Sequence, residues 1–493
     1  MKKPFNPKNI FSGSGMVSNS LWGIVSTLCQ TLFLSLFFVI LSRHYPIVAF
    51  SHFLIANTIY QLIVGFSSMG LGLWFIREYG QETDDRGTMV YRFIKVQGML
   101  GVLFYAINIA LAFIIYKNEQ IRMLTLILGT NIIFDNIIYA LKHLNIAQSE
   151  QKKTAIIMAV EGLLRLLLGC ILFLFPLSLS YLSILLVIVR LATVGVFIEI
   201  GSGGSVNIKQ LWAFKISADD LKRNVLLNWK FILIVGSSIL FWRSATIIIS
   251  KYLGAADVAN YEISYKIFSI FTMLSIVAST TIYPRFVKLI AMNDHEKIRS
   301  LYGLISLGFG LFVVFSYAFM NSFSEVLITV IFGNKFLLAG KCMKEMFLTL
   351  LVFPTVFLQA NLLVAMKLEK MDMVLNFMAL MINLSCSLIG LHFFPSLSVL
   401  NYSIFTAFLI FHISQNVLLI RLKLNTIKNA VLFYLGAGVF VICYHYATVR
   451  FDSLTLFICF VCMVMIPLTA YFLTRLKGYL DSVHTVFYSS DIL

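Results

Sequence analysis

The sequence predicts an all-α polytopic membrane protein: about fourteen transmembrane helices, in two six-helix lobes around a central cavity, plus two extra C-terminal helices. Three observations carry that prediction. Hydrophobic residues are 59% of the 493, charged residues are 12% and mean hydropathy is +0.90, whereas soluble domains hold roughly 45–50% apolar residues. Apolar windows of ~20 residues, the length that crosses a ~30 Å hydrocarbon core as helix, recur along the whole chain. Pieces of the first half return in the second, six spans later. The formal charge of +16 does not point to nucleic acid, because the basic residues sit in short clusters between apolar runs rather than on one face.

The spans fall at 19–42, 50–75, 94–116, 121–141, 155–175, 178–199, 228–250, 258–283, 300–323, 344–366, 371–394, 396–420, 429–447 and 453–474. Lys2, Lys3 and Lys8 precede the first, whose apolar run is too long for a signal-peptide core and lacks a small-residue cleavage site. Of the 38 Lys and Arg, 26 fall on the side that carries both termini, 8 on the other and 4 inside spans. By the positive-inside rule both termini are cytoplasmic. Cys29, Cys170, Cys386, Cys459 and Cys462 lie in apolar spans as small hydrophobes. The Cys459 and Cys462 pair has no histidine or second cysteine pair at ligand spacing, so it is not read as a metal or redox site.

Four segments are expected: an N-terminal six-helix lobe at 1–200, a cytoplasmic linker at 201–227, a C-terminal six-helix lobe at 228–420, and two further helices with a cytoplasmic tail at 421–493. The linker opens Gly/Ser-rich, which reads as flexible. It continues basic with Leu211, Trp212, Phe214, Ile216 and Leu221, and Ser217 stands three residues before Asp220 as a cap for a short interfacial helix. The lobes echo each other. LGLWFIREYGQETDD, ending span two, parallels TIYPRFVKLIAMNDHE, ending span eight, and ALKHLNIAQSEQKK after span four parallels LLVAMKLEKMD after span ten. Separation by an even number of spans keeps the orientation, so the repeat is parallel, a transporter architecture with its site between the lobes.

Seven charged residues stand well inside spans: Asp135, Glu161, Arg165, Arg190, Arg243, Glu262 and Lys266. Each costs ~2.5–3.5 kcal/mol at a helix centre and needs a partner or a wet cavity. At ~1.5 Å per residue, Asp135 and Glu161 lie ~9 Å from the cytoplasmic end, Arg190 ~14 Å and Arg165 ~15 Å. From the outer end, Glu262 lies ~6 Å in, Arg243 ~11 Å and Lys266 ~12 Å. Glu161 with Arg165, and Glu262 with Lys266, stand at i, i+4 spacing, so that each pair either neutralises within one helix or serves the cavity as a functional charge. Arg190 and Arg243 lack such a neighbour, so each requires a carboxylate across the bundle or an anion from a substrate. His412 reads as a neutral, hydrogen-bonded core histidine. No nucleotide-binding, zinc-protease or nucleophile-elbow motif is present, so no enzyme activity and no cofactor or metal is expected.

Gly254, Asp257, Tyr261 and Lys266, the closing YPRFVK at 283–288 and VIFGNKFLLAG at 330–340 resemble the Wzx-type polysaccharide flippases of the multidrug/oligosaccharidyl-lipid/polysaccharide (MOP) exporter superfamily. The resemblance implies a multi-pass protein of the bacterial inner membrane. It would flip a polyprenyl-diphosphate-linked oligosaccharide by alternating access, for assembly of O-antigen or capsule, alongside polymerase and chain-length proteins. It further implies that buried cations hold the diphosphate, for which Arg243, Arg190, Arg165 and Lys266 are the fitting positions, a planar guanidinium matching phosphate oxygens best. Asp135, Glu161 and Glu262 are the candidates for ion coupling. A multidrug/cation antiporter of the same superfamily would want acids left over, but the spans hold four bases against three acids. A peptidoglycan-precursor flippase would carry arginines in its first helices, where span one has no charge. An O-antigen polymerase-type enzyme would need a large external loop, and the longest expected is 324–343.

Overall fold

The computed structural model describes residues 15–81, 86–216 and 229–489, and among these no residue forms a strand. Twelve helices among the described residues are long and apolar enough to cross a membrane. Two more, α1 (Gly15–His44) and α10 (Trp229–Tyr252), lie on the first and seventh predicted spans. The chain divides into two compact units, Met1–Ala259 and Asn260–Leu493.

The first unit continues with α2 (Ile47–Ser67), α3 (Leu71–Gln81), α4 (Arg86–Ile115), α5 (Glu119–Gly129), α6 (Asn131–Ala147), α7 (Gln151–Ile171), α8 (Leu179–Val196) and the short α9 (Ile208–Ala213). Local chemistry sets the ends. Asn118 caps α5 by accepting the Ile121 N–H at 3.0 Å, which satisfies one of the donors a helix start leaves open. Gly162 and Gly169, seven residues apart on α7, make room for Phe33 and Phe37 of α1, the small-residue packing by which membrane helices approach closely. The core stacks Phe75 on Phe93, with ring centroids 4.3 Å apart, among Leu71, Leu141 and Phe197.

Two predicted spans of this unit are interrupted. Span two breaks between α2 and α3, where Met69 (φ 51°) and Gly70 (φ 64°) are both left-handed and the buried Gln97 amide donates to the Ser68 carbonyl at 3.1 Å. Span four runs longer than expected, from Glu119 to Ala147, with an irregular turn at Thr130. The segment after α8 is held on α4: Tyr91 accepts the Asn207 N–H at 3.0 Å and donates to Gln210 at 2.7 Å, and Lys95 donates to the Trp212 carbonyl at 3.0 Å. The Ser217 and Asp220 cap lies outside the described residues.

The second unit takes most of α11 (Ala255–Ala291, with Pro284 inside), then α12 (His295–Phe332), α13 (Leu337–Leu350), α14 (Phe353–Ala365), α15 (Glu369–Phe393), α16 (Leu397–Arg421), α17 (Ile427–Arg450), α18 (Ser453–Phe460) and α19 (Ile466–Ser489). The expected external loop at 324–343 is mostly helix. α12 continues to Phe332, Gly333 (φ 95°) turns the chain, and a single 3-10 turn at Asn334–Phe336 leads into α13. Hydropathy ends the span early because Asn321, Ser322, Ser324 and Glu325 are polar. The helix persists because Ser324, Ile328 and Phe332 bury one face. Span ten is broken at Leu351 and Val352, just before α14, which has Pro354 in its first turn. The last two spans fasten to α12 through Tyr444, hydrogen-bonded to Ser322 at 2.7 Å, and through Phe457 against Phe315, Phe319 and Phe323.

Candidate functional site

Four of the seven buried charges come together in the first unit. α6 supplies Asp135, α7 supplies Glu161 and Arg165, and α8 supplies Arg190, the two acids buried and the two arginines half-buried. The Arg190 guanidinium bridges both acids. Its Nε donates to Asp135 Oδ1 at 2.5 Å, its Nη2 to the same oxygen, and its Nη1 to Glu161 Oε2. The other oxygen of Glu161 faces Arg165 Nη2 at 2.6 Å, an i, i+4 pair. Tyr60 of α2 completes the set by donating its hydroxyl to Asp135 Oδ2. Side-chain exposures of 6% for Asp135, 1% for Glu161 and 11% for Arg190 put the network out of bulk water. There each charge is worth keeping only while paired.

Tyr60, Asp135 and Arg190 of the network form one wall of a cavity of about 380 Å³, lined also by Asn136, Tyr139 and Lys142 and by the polar end of α2 at Ser67 and Ser68, with Glu161 and Arg165 behind that wall. The cavity therefore sits beside the interruption of span two. Lys142 is the addition that the sequence reading missed. Placing the end of span four at residue 141 put Lys142 in a loop, but α6 runs on to Ala147. Lys142 then stands seven residues from Asp135, on the same helical face. That i, i+7 spacing was the available signal. Among the described residues Lys142 has no carboxylate partner, so three cations (Arg165, Arg190, Lys142) meet two acids (Asp135, Glu161), a surplus of one positive charge.

Of the two compensations open to Arg190, the structure contains the carboxylate one. Arg243 stands half-buried on α10, and Glu262, buried, and Lys266, half-buried, stand on α11; none of the three lines this cavity. His412 is 2% exposed, with Tyr434 on its Nδ1 at 3.0 Å and Gln359 and Asn416 beside its Nε2, each at 3.3 Å. No group of histidine, cysteine, aspartate and glutamate among the described residues forms a metal centre.

No curated protein matches the chain. Among solved structures it resembles the lipid II flippase MurJ in an inward closed conformation, at 13% identity and a TM-score of 0.71 over 96% of this chain and 100% of that one. It also resembles an inward-facing multidrug-resistance MATE family transporter of the MOP superfamily, at 14% identity and a TM-score of 0.66 over 82% and 99%. A MOP superfamily transporter from Pyrococcus furiosus matches at 13% identity and a TM-score of 0.58 over 87% and 100%. At these identities the likeness establishes the fold. In sequence, residues 16–290 match the family model described as polysaccharide biosynthesis protein, more than half of the chain. Sequence and fold agree: the chain has the fold of these transporters and flippases, and it belongs to the polysaccharide biosynthesis protein family.

Proposed function

We propose that this protein flips a polyprenyl-diphosphate-linked oligosaccharide across the bacterial cytoplasmic membrane, from the inner to the outer leaflet, by alternating access of two six-helix repeats. The observation that carries the reading is the cationic surplus of the cavity. A site for cationic drugs would leave acids over, whereas here both acids are engaged and Lys142 is left to meet an anion. Lys142 makes the first contact with the diphosphate. Arg190 follows when Asp135 or Glu161 takes up a proton and releases it, which couples anion capture to an ion gradient without nucleotide. Arg165, Arg243 and Lys266 are the further cations on the path, and Glu262 a further coupling site. Surface-polymer polymerase and chain-length proteins act on the product at the outer face.

The test is complementation of a deletion strain, read as surface polysaccharide, lipid-linked intermediate on the cytoplasmic side, and membrane abundance of the protein. Lys142→Ala is expected to reduce export at least about tenfold at normal abundance, the cost of one lost charge-assisted contact, and Lys142→Arg to retain it. Arg243→Ala is expected to lose export, with partial rescue by Arg243→Lys because the charge remains and the fork does not. Normal export from Lys142→Ala at normal abundance rejects the role of the surplus charge. Unpolymerised repeat units already translocated in the deletion strain would indicate a polymerase, and sensitivity to cationic drugs would indicate an antiporter.

A further inference from the structure

The second unit holds a larger cavity, about 770 Å³, bounded by α12, α16, α17 and α19. Its mouth carries Arg299, near the start of α12, and Arg475 of α19, and its floor is Thr355 with the His412 and Asn416 hydrogen-bond network. No aspartate or glutamate is among the residues lining it. Arg299 spends Nε and Nη2 on a single acceptor, the Lys423 carbonyl, at 3.2 and 2.5 Å. Among the described residues Arg475 donates only Nε, to the Tyr471 hydroxyl at 2.9 Å, and lies over the same ring at 5.3 Å. Among the described residues neither arginine meets a carboxylate. This is the reverse of Arg190 and Arg165, which are neutralised within their own site.

Shape narrows the ligand further. Gly303 and Gly310 are seven residues apart on α12, and a Cβ at either would meet nothing within 4 Å, so that face of the helix is an open slot. Leu307 lies between them, and Leu432 and Phe433 of α17 form the opposite apolar wall. A mouth of two guanidinium groups above an apolar slot matches an amphiphile with a phosphate at its head, since arginine pairs phosphate oxygens two at a time. At 770 Å³ the cleft takes a head group and the upper part of one chain, and the remainder leaves between α17 and α19, whose spans are mostly exposed.

We propose that this cleft binds one phosphate-bearing lipid, its phosphate held by Arg299 and Arg475 and its chain laid along Gly303, Leu307 and Gly310. The site belongs to the second unit alone and stands whether or not the transport reading does. The full-length protein, stripped of lipid in detergent, is titrated singly with phosphatidylglycerol, undecaprenyl diphosphate and diacylglycerol, and retention is read by native mass spectrometry. At least one phosphate lipid is expected to be retained about tenfold better than diacylglycerol. The lipid that wins identifies the source, the bulk membrane or the diphosphate carrier. Arg299→Gln with Arg475→Gln is expected to abolish the preference. Gly303→Leu, which fills the slot with both arginines in place, is expected to abolish retention, and Lys477→Gln, an exposed cation outside the cleft, to leave both unchanged. Equal retention of diacylglycerol, an unchanged preference in the double variant, or an equal loss from Lys477→Gln overturns the proposal. If the double variant does not fold, Gly303→Leu decides it, and unchanged retention there overturns it.

Discussion

A guanidinium that holds two carboxylates at once cannot also wait free for a ligand, and Arg190 holds Asp135 and Glu161 with three of its donors. Removing it leaves two acids in a water-poor site with Arg165 and Tyr60 as the remaining partners. Breaking a buried pair from one side costs about 3–5 kcal/mol. Arg190→Ala is therefore expected to deplete the protein from the membrane, unlike Lys142→Ala. Adding Asp135→Asn to Arg190→Ala removes the acid left without a cation, keeps the Glu161–Arg165 pair, and is expected to restore abundance without restoring export. Immunoblots of membranes from the three strains check this, and full abundance of Arg190→Ala alone contradicts it. Tyr60 was invisible as a partner in the sequence because nothing in a tyrosine of an apolar span signals that a carboxylate on another helix will accept its hydroxyl.

Helices were legible where apolar runs were clean, and their ends were not. A window that scores hydropathy stops at the first polar cluster, yet a helix goes on while one face stays buried. That is why the apolar window stops at residue 141 while α6 carries on through Lys142, and why Ser324 to Phe332 is helix rather than external loop. The interruptions were equally hidden, since Met69 and Gly70 occupy an otherwise apolar span. The pairing of Glu161 with Arg165 was readable from spacing alone, whereas the bridge from Arg190 required knowing which helices adjoin. The break beside the cavity carries its own expectation. Gly70 at φ 64° is in a region that costs an L-residue with a side chain ~1–2 kcal/mol, so Gly70→Ala is expected to lower the melting temperature of the purified protein while Gly98→Ala, inside α4 where a Cβ meets nothing within 4 Å, leaves it unchanged or raises it slightly. Equal melting temperatures for the two variants would show that the left-handed turn is not maintained.

Across the whole chain, the test of a span count is whether loops of one parity gather at one end. Within the first unit they do. Tyr45 donates to the Leu177 carbonyl at 2.8 Å, His52 meets Gln120 at 2.8 Å, and Tyr116 meets Ser250 at 2.6 Å, all contacts between loops or span ends assigned to the outer side. At the other end Gln148 donates to Tyr79 and Ser205, each at 3.3 Å, and Tyr91 donates to Gln210, joining segments assigned to the cytoplasm. The second unit sorts the same way: Arg299 reaches the Lys423 carbonyl at one end, while Lys344 pairs with Glu325 and Ser398 donates to Glu345, each at 2.7 Å, at the other. One missed or added span between any of these partners would have put them on opposite sides of the bilayer. Contacts establish the alternation of the ends within each unit, and the charge bias of 26 against 8 predicts the sign, because basic loops tend to be retained in the cytoplasm. A reporter active only in the cytoplasm is accordingly expected to work when fused after Arg223 and to fail after Lys251 or Lys335, and one active only outside to do the opposite. Cytoplasmic activity at both Arg223 and Lys251 would mean that α10 does not cross. A clean inversion of all three would keep the helices and reverse the membrane, which would place the Arg299 and Arg475 cleft in the outer leaflet instead of the inner one.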